Sequence, residues 1–122
     1  MICIGGIIAD YYPHIDNMDT EWVLRLFADD AVYERADATY NGIFEIRGFF
    51  CSERQIRGKH NLSGLWTVPA SNTVFVTGRF EGYGAEGDPR GVKFADIWQF
   101  NENSKVIKRE TYLGLGHAYI QR

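Results

Sequence analysis

Sulfur, proline and histidine are scarce in this chain, and no charge sign dominates it. Two cysteines, two methionines, three prolines and three histidines stand among 122 residues, and the formal net charge is −3. Cys3 and Cys51 are isolated thiols without CxxC spacing, which favours reduced cysteines over a disulfide framework. His14, His60 and His117 are widely scattered and no ligand-spaced cluster appears, so no metal site is expected. No basic run or strongly basic balance is present, which removes nucleic acid as an expected partner. The one apolar opening, Ile2 to Ala9, is broken by Gly5 and Gly6 and lacks a basic flank. It also falls far short of the ~20 residues that a membrane span takes. The expectation is a cytoplasmic protein with no membrane partner. Without repeats, low-complexity runs or a linker, residues 1–122 read as one domain.

Aromatic rings and glycine are plentiful instead: 8 Phe, 7 Tyr, 3 Trp and 13 Gly, within an otherwise ordinary 45% hydrophobic and 24% charged composition. Large rings beside residues without side chains suit a small domain that fills its core and leaves shaped space inside.

The first half reads helical. Ile4 to Ile15 is mostly apolar, with Pro13 placed to distort or end the last turn. Asp19 is an N-cap candidate for a short helix with Trp22, Val23, Leu26 and Phe27 on one face. A strand over Ala31 to Ala36 and a loop through Tyr40-Asn41-Gly42 follow. Ile43, Ile46 and Phe50 then recur at helical spacing, predicting a third helix that ends near Arg54.

The second half alternates. Leu62, Gly64, Trp66 and Val68 share one strand face; Val74, Val76, Gly78 and Phe80 share the next. A Gly-rich turn from Gly82 to Gly91 leads to a strand over Val92 to Phe100, and Asn101 to Ser104 turns into Lys105 to Leu113. Its Gly82-Tyr83-Gly84 is a hairpin signal, too weak to mark a phosphate or cofactor site. The fold class is α+β, an antiparallel sheet curling over the N-terminal helices.

Polar residues interrupt these apolar faces at a few places. Positions 92, 94, 96, 98 and 100 point the same way and read Val, Phe, Asp, Trp, Phe. Asp96 is thus an inward carboxylate, either half of a structural ion pair or a group lining a cavity with acid-base work to do. His60 shares parity with Leu62 to Val68 and is expected inward, as a satisfied core or rim residue or as a base converging on Asp96. On the last strand Ile107, Arg109, Thr111 and Leu113 form the more apolar face, which favours Arg109 inward as counter-ion to Asp96, with Glu110 the alternative. Arg54 and Arg57 are solvated loop charges, or guards of a cavity mouth that hold an anionic substrate.

Three local segments carry a family resemblance: Leu26-Phe27-Ala28-Asp29-Asp30-Ala31; Asn41-Gly42 with Ile46 and Phe49-Phe50; and Asp96-Ile97-Trp98-Gln99-Phe100-Asn101 followed by Lys105-Val106-Ile107. In this order they resemble the cone-shaped family that includes nuclear transport factor 2, ketosteroid isomerase and the SnoaL-like polyketide cyclases. The resemblance implies a cone-shaped curved sheet on three N-terminal helices and a cavity for a small hydrophobic substrate. It also implies a homodimer formed through the outer sheet face. It puts Asp96 where the isomerase has its oxyanion-hole carboxylic acid and Tyr11 where it has its oxyanion-hole tyrosine. The isomerase's general-base aspartate falls on Arg35, a departure that places positive charge in the pocket. Tyr33 shares the parity of Arg35, and residues resembling Tyr33, Tyr40, Arg54 and His60 recur in bacterial members; strand parity, independently of the resemblance, adds Trp66, Trp98 and Arg109 to the expected pocket wall. The activity this implies is cofactor-free acid-base chemistry by Asp96, His60 and Tyr11, with Arg35 biasing the field: isomerisation, cyclisation or dehydration of a carbonyl or polyene compound. The alternative is a ligand-binding or interaction module of the same fold.

Overall fold

A computed structural model of the protein describes residues 3–115; His117 and the start of the apolar opening, Ile2, lie outside the described residues. Helix α1 (Ile4–Asp16) buries Ile8, Tyr11, Tyr12 and Ile15, an i, i+3, i+4, i+7 stripe that faces the sheet. The helix continues past Pro13 to Asp16, because its last turn is held by Asn17 N–H on the Pro13 carbonyl at 3.0 Å and by the buried Ile15. Close approach to the sheet explains Gly5: a Cβ there would stand 2.7 Å from Thr67 Oγ1.

Helix α2 (Thr20–Leu24) is shorter than its apolar face suggests, since Phe27 already opens strand β1 (Phe27–Glu34). Asp19 occupies the N-cap position without capping; its carboxylate accepts from His14 Nδ1 at 2.9 Å instead. The expected loop at Tyr40 is strand β2 (Thr39–Asn41), paired with β1 through Tyr33 and Tyr40. Helix α3 (Gly42–Gly48) runs into a π-helical turn, Phe49–Glu53, and the chain leaves it at Arg54, as the spacing implied.

Strands β3 (Arg57–Val68), β4 (Thr73–Tyr83), β5 (Pro89–Phe100) and β6 (Val106–Gly114) form an antiparallel meander, with the connection between β4 and β5 shorter than the Gly-rich stretch suggested. The curved six-stranded sheet has the order β2-β1-β6-β5-β4-β3, and together with the three helices it is the expected α+β architecture. One pairing departs from antiparallel: β1 lies parallel to β6, which the long excursion between them through α3 and β3 to β5 allows. Rings from α1, the π-turn and the concave sheet face make the core.

The expected inward face of β3 does not hold along its length. A bulge between Leu62 and Gly64 adds one residue to β3, and an extra residue moves every later side chain to the other face. Leu65 therefore packs on the core, while Trp66 is 55% exposed and Val68 is exposed as well; Leu62, ahead of the bulge, is exposed on the face it shares with His60. A smaller correction applies to β6, where Ile107 is exposed although Arg109 and Thr111 point inward.

Candidate active site

Asp96 lies at the centre of a buried polar cluster and is 1% exposed. The register of β5 and β6 puts Thr111 directly opposite it, and α1 brings Tyr12 over it. Three donors converge on the carboxylate: Thr111 Oγ1 on Oδ1 at 2.5 Å, Tyr12 Oη on Oδ2 at 2.6 Å, and Arg109 Nη2 on Oδ2 at 3.1 Å. This is the geometry of an acceptor, so the ion-pair reading of Asp96 describes its contacts and the neutral-donor role implied by the isomerase does not.

The direction of each bond follows from that acceptor. Because Thr111 donates to Asp96, it accepts from Tyr33 Oη at 2.9 Å, and Tyr33 accepts from Arg35 Nη1 at 2.6 Å. Tyr12 donates to Asp96 and accepts from Trp98 Nε1 at 3.2 Å. Tyr11 differs: its oxygen accepts from Arg109 Nη1 at 2.8 Å, and its own proton has no acceptor among the described residues.

Arg109 is held by aromatic faces as well as by Asp96. Its guanidinium carbon lies 4.3 Å from the Trp98 ring centroid, 4.6 Å from that of Tyr33 and 4.8 Å from that of Tyr11. These faces enclose its Nε, a buried donor without a partner among the described residues. Burial opposes the Arg109 charge, but Asp96 and the neighbouring phenols more than offset it, holding the group well above its usual range. Burial pushes the Tyr11 phenol up to about 12, with Arg109 pulling the other way. Tyr12 is raised well above its usual value, first by burial and then by the Asp96 charge.

His60 does not meet Asp96. Its Nδ1 is 2.5 Å from Asp16 Oδ1, and its backbone N–H donates to Asp16 Oδ2 at 2.8 Å. The carboxylate accepts only, so in the neutral ring Nδ1 carries the proton and Nε2 is left as the basic face. Phe80 and Phe94 pack beside the ring, with centroids 4.9 and 5.3 Å away.

A cavity of about 420 Å³ opens between the sheet and the helices. Of the sequence-predicted residues, Tyr11, Tyr33, Arg35, Arg54, His60, Asp96 and Arg109 reach its wall. Three do not: Trp66 lies on the outer sheet face, Trp98 is buried behind Arg109, and Tyr40 donates to Glu53 at 3.0 Å. Glu110 faces away from Arg109 and takes the Tyr112 hydroxyl. Sequence reasoning missed Tyr12, Asp16 and Thr111 as parts of the site. Thr111 shares a strand face with Arg109, and Tyr12 and Asp16 follow Ile8 at intervals of four, so periodicity carried a signal for all of them.

Cys3 and Cys51 are free and exposed. Among the described residues no three or more of His, Cys, Asp and Glu gather where they could hold a metal ion, and no helix is long and apolar enough to cross a membrane.

A curved mixed sheet closed by three helices around a partly polar cavity defines a cone-type α+β protein of the nuclear transport factor 2-like superfamily. The model of the SnoaL-like domain matches residues 8–109, and the chain belongs to that family. No curated protein matches it in sequence. Among solved structures, it is similar to an NTF2-like protein of unknown function from Burkholderia pseudomallei K96243, with a TM-score of 0.80 and 18% identity over 93% of this chain and 92% of the other. SalBIII, an epoxide hydrolase/cyclase-like enzyme in pyran ring formation in the polyether salinomycin, gives a TM-score of 0.79 at 15% identity, covering 92% and 91%. A protein provisionally assigned as a SnoaL-like polyketide cyclase from Shewanella denitrificans OS-217 gives 0.75 at 16%, covering 93% and 92%. At these identities the likeness is one of fold. The SnoaL-like fold family includes polyketide cyclases and isomerases.

Proposed function

We propose that the protein is a cofactor-free acid-base enzyme acting on a small, mostly apolar carbonyl compound in the cytoplasm. The observation that carries this reading is the Tyr11 hydroxyl, a buried donor whose proton has no acceptor among the described residues, facing a cavity whose wall also holds His60. His60 Nε2 removes a proton from the carbon next to the carbonyl. The electron pair of that C–H bond moves to the carbonyl oxygen, and the resulting enolate accepts the Tyr11 O–H, with the Arg109 charge behind it. Reprotonation by the imidazolium at another carbon completes an isomerisation. Attack of the enolate carbon on a second carbonyl, whose oxygen takes up the imidazolium proton as its π bond breaks, completes a cyclisation, and loss of a β-hydroxyl that takes up the imidazolium proton completes a dehydration. Asp16 orients the imidazole, Asp96 holds Arg109 in place, and Arg35 biases the field through Tyr33.

The test needs no knowledge of the natural substrate. Ketones with acidic α-hydrogens, phenylacetone among them, are incubated with the protein in deuterated water and followed by NMR. Accelerated exchange that falls ~100-fold in Tyr11→Phe and in His60→Ala supports the reading. Exchange at the background rate across the panel supports the competing one, a ligand-binding module without turnover, which the three-fold engagement of Asp96 favours.

The outer sheet face fits a second copy of the chain. Trp66, Phe75 and Ile97 stand in register across β3, β4 and β5, and Trp66 and Phe75 are exposed beside the exposed Tyr112. Charges of both signs, Arg79, Glu81, Lys108 and Glu110, share that face, as a self-complementary two-fold interface needs.

A further inference from the structure

The cavity is charged in a way that acid-base chemistry on a neutral ketone does not require. Among the described residues four arginines reach its wall, Arg35, Arg54, Arg90 and Arg109, against the single carboxylate of Asp96, although the whole chain carries a formal charge of −3. Asp96 is committed to Arg109 and Asp88 to Arg90. Arg54 has no such partner: its only side-chain hydrogen bond among the described residues is a long one, 3.4 Å, to the Ile56 carbonyl. Arg35 donates to the neutral Tyr33 hydroxyl, and its nearest carboxylate, the exposed Asp37, is 3.9 Å away.

Arg54 is also placed where its charge is costly. It is half-buried beside Ile56, next to the apolar rings of Phe49 and Phe50 that line the same cavity. Burial lowers its pKa and the like charge of Arg109 adds to that effect, while Tyr11, the Asp16 carboxylate and Tyr33 pull the other way without offsetting it. A guanidinium held in a partly dry wall with one long hydrogen bond and no ion pair among the described residues is a vacant half of an ion pair. Its planar fork matches a carboxylate, which can take two parallel N–H bonds. A phosphate dianion fits less well, because it would leave more hydration behind in a cavity walled by Phe49, Phe50, Phe80 and Phe94.

We infer that the ligand of this cavity is an organic carboxylate, its apolar body against the phenylalanines and its carboxyl group on Arg54, with Arg35 as the second charge at that wall. This inference rests on the proposed acid-base site and sharpens it. The substrate class becomes a keto acid, or another carbonyl compound carrying one carboxylate, whose carbonyl reaches Tyr11 while its carboxyl is held by Arg54.

Cinnamate and cinnamamide, alike in shape and different in charge, separate this from a neutral ligand. Calorimetric titration of the full chain is expected to give at least 10-fold tighter binding of cinnamate, and that preference is expected to collapse in Arg54→Met and to survive in part in Arg54→Lys. Circular dichroism melting confirms that each variant folds. In the wild-type protein the Arg54 side-chain N–H resonance is expected to shift with cinnamate and not with cinnamamide, a readout that depends on no variant. Inorganic phosphate is expected to compete poorly. Equal binding of acid and amide, an unchanged preference in folded Arg54→Met, failure of cinnamate to bind, or phosphate competing as well as cinnamate would each overturn the carboxylate. Equal binding leaves the deuterium-exchange test of the acid-base site intact, so the two readings fail separately.

Discussion

Arg109 Nη2 lies 3.1 Å from Asp96 Oδ2, with both side chains buried against the Trp98 ring and the tyrosines of α1 and β1. Removing one charge from such a pair leaves the other without compensation in a dry site, and that costs more than the intact pair contributes. Arg109→Met and Asp96→Leu are each expected to destabilise the fold by about 3–5 kcal/mol. The double substitution is expected to cost clearly less than the sum of the two. Urea denaturation of the four proteins in the cycle measures the coupling, and additivity would show that the contact carries no energy of its own.

Tyr11 and Tyr12 are neighbours in sequence with opposite assignments. Tyr12 serves Asp96, so Tyr12→Phe is expected to cost about 1–3 kcal/mol of stability, because the carboxylate loses a donor. Its effect on α-proton exchange should be within a few-fold. Tyr11→Phe is expected to slow exchange ~100-fold, with a smaller change in melting temperature. Comparison of exchange rate with melting temperature for the two variants separates the roles, and a shared profile would remove Tyr11 from the chemistry.

The phenols of α1 also set an alkaline limit. A tyrosine in the unfolded chain loses its proton near 10, while Tyr11 in the fold holds it to about 12. The folded state therefore binds more protons between those values. The stability this contributes is complete below pH 10 and is lost as pH rises through 12, at about 1.4 kcal/mol per pH unit for one such group. Tyr12 acts in the same direction. Phenolate absorbance should rise in two stages, exposed tyrosines first and the α1 pair only with unfolding seen by circular dichroism. Titration of all tyrosines before the fold is lost would contradict their burial.

His60 depends on Asp16 for its tautomer. Asp16→Asn is expected to lower α-proton exchange ~10-fold or more, because the amide no longer holds the proton on Nδ1 in preference to Nε2. The chemical shifts of the ring nitrogens report the tautomer directly. A tautomer that stays put while exchange falls would assign the loss to something other than orientation.

Trp66→Asp tests the outer face. Sedimentation of the wild-type chain is expected to show a dimer and that of the variant a monomer of unchanged circular dichroism. A wild-type monomer at all accessible concentrations would leave the Trp66, Phe75 and Ile97 row without the proposed occupant.

The chain's own periodicities determined most of the architecture. The stripe Ile8, Tyr11, Tyr12, Ile15 makes α1 amphipathic whatever it packs on, and the alternation from Val92 to Phe100 puts Asp96 inside because side chains in a strand alternate. The same alternation on β6 brought Arg109 to the Asp96 side. These are local consequences of backbone geometry, legible wherever the register stays constant. Where it breaks, the pattern misleads: the bulge at Leu62 to Gly64 turned Trp66 outward, since one added residue exchanges the two faces and leaves no mark in composition. Pairings between distant elements were set by the tertiary structure alone. His60 meets Asp16 because β3 crosses the end of α1, and Arg54 finds no carboxylate hydrogen-bond partner among the described residues because the chain leaving the π-turn sets it against the cavity wall. Which carboxylate finds which base depends on the closing angle between helix and sheet, a sum over many weak packing contacts that no spacing along the chain records.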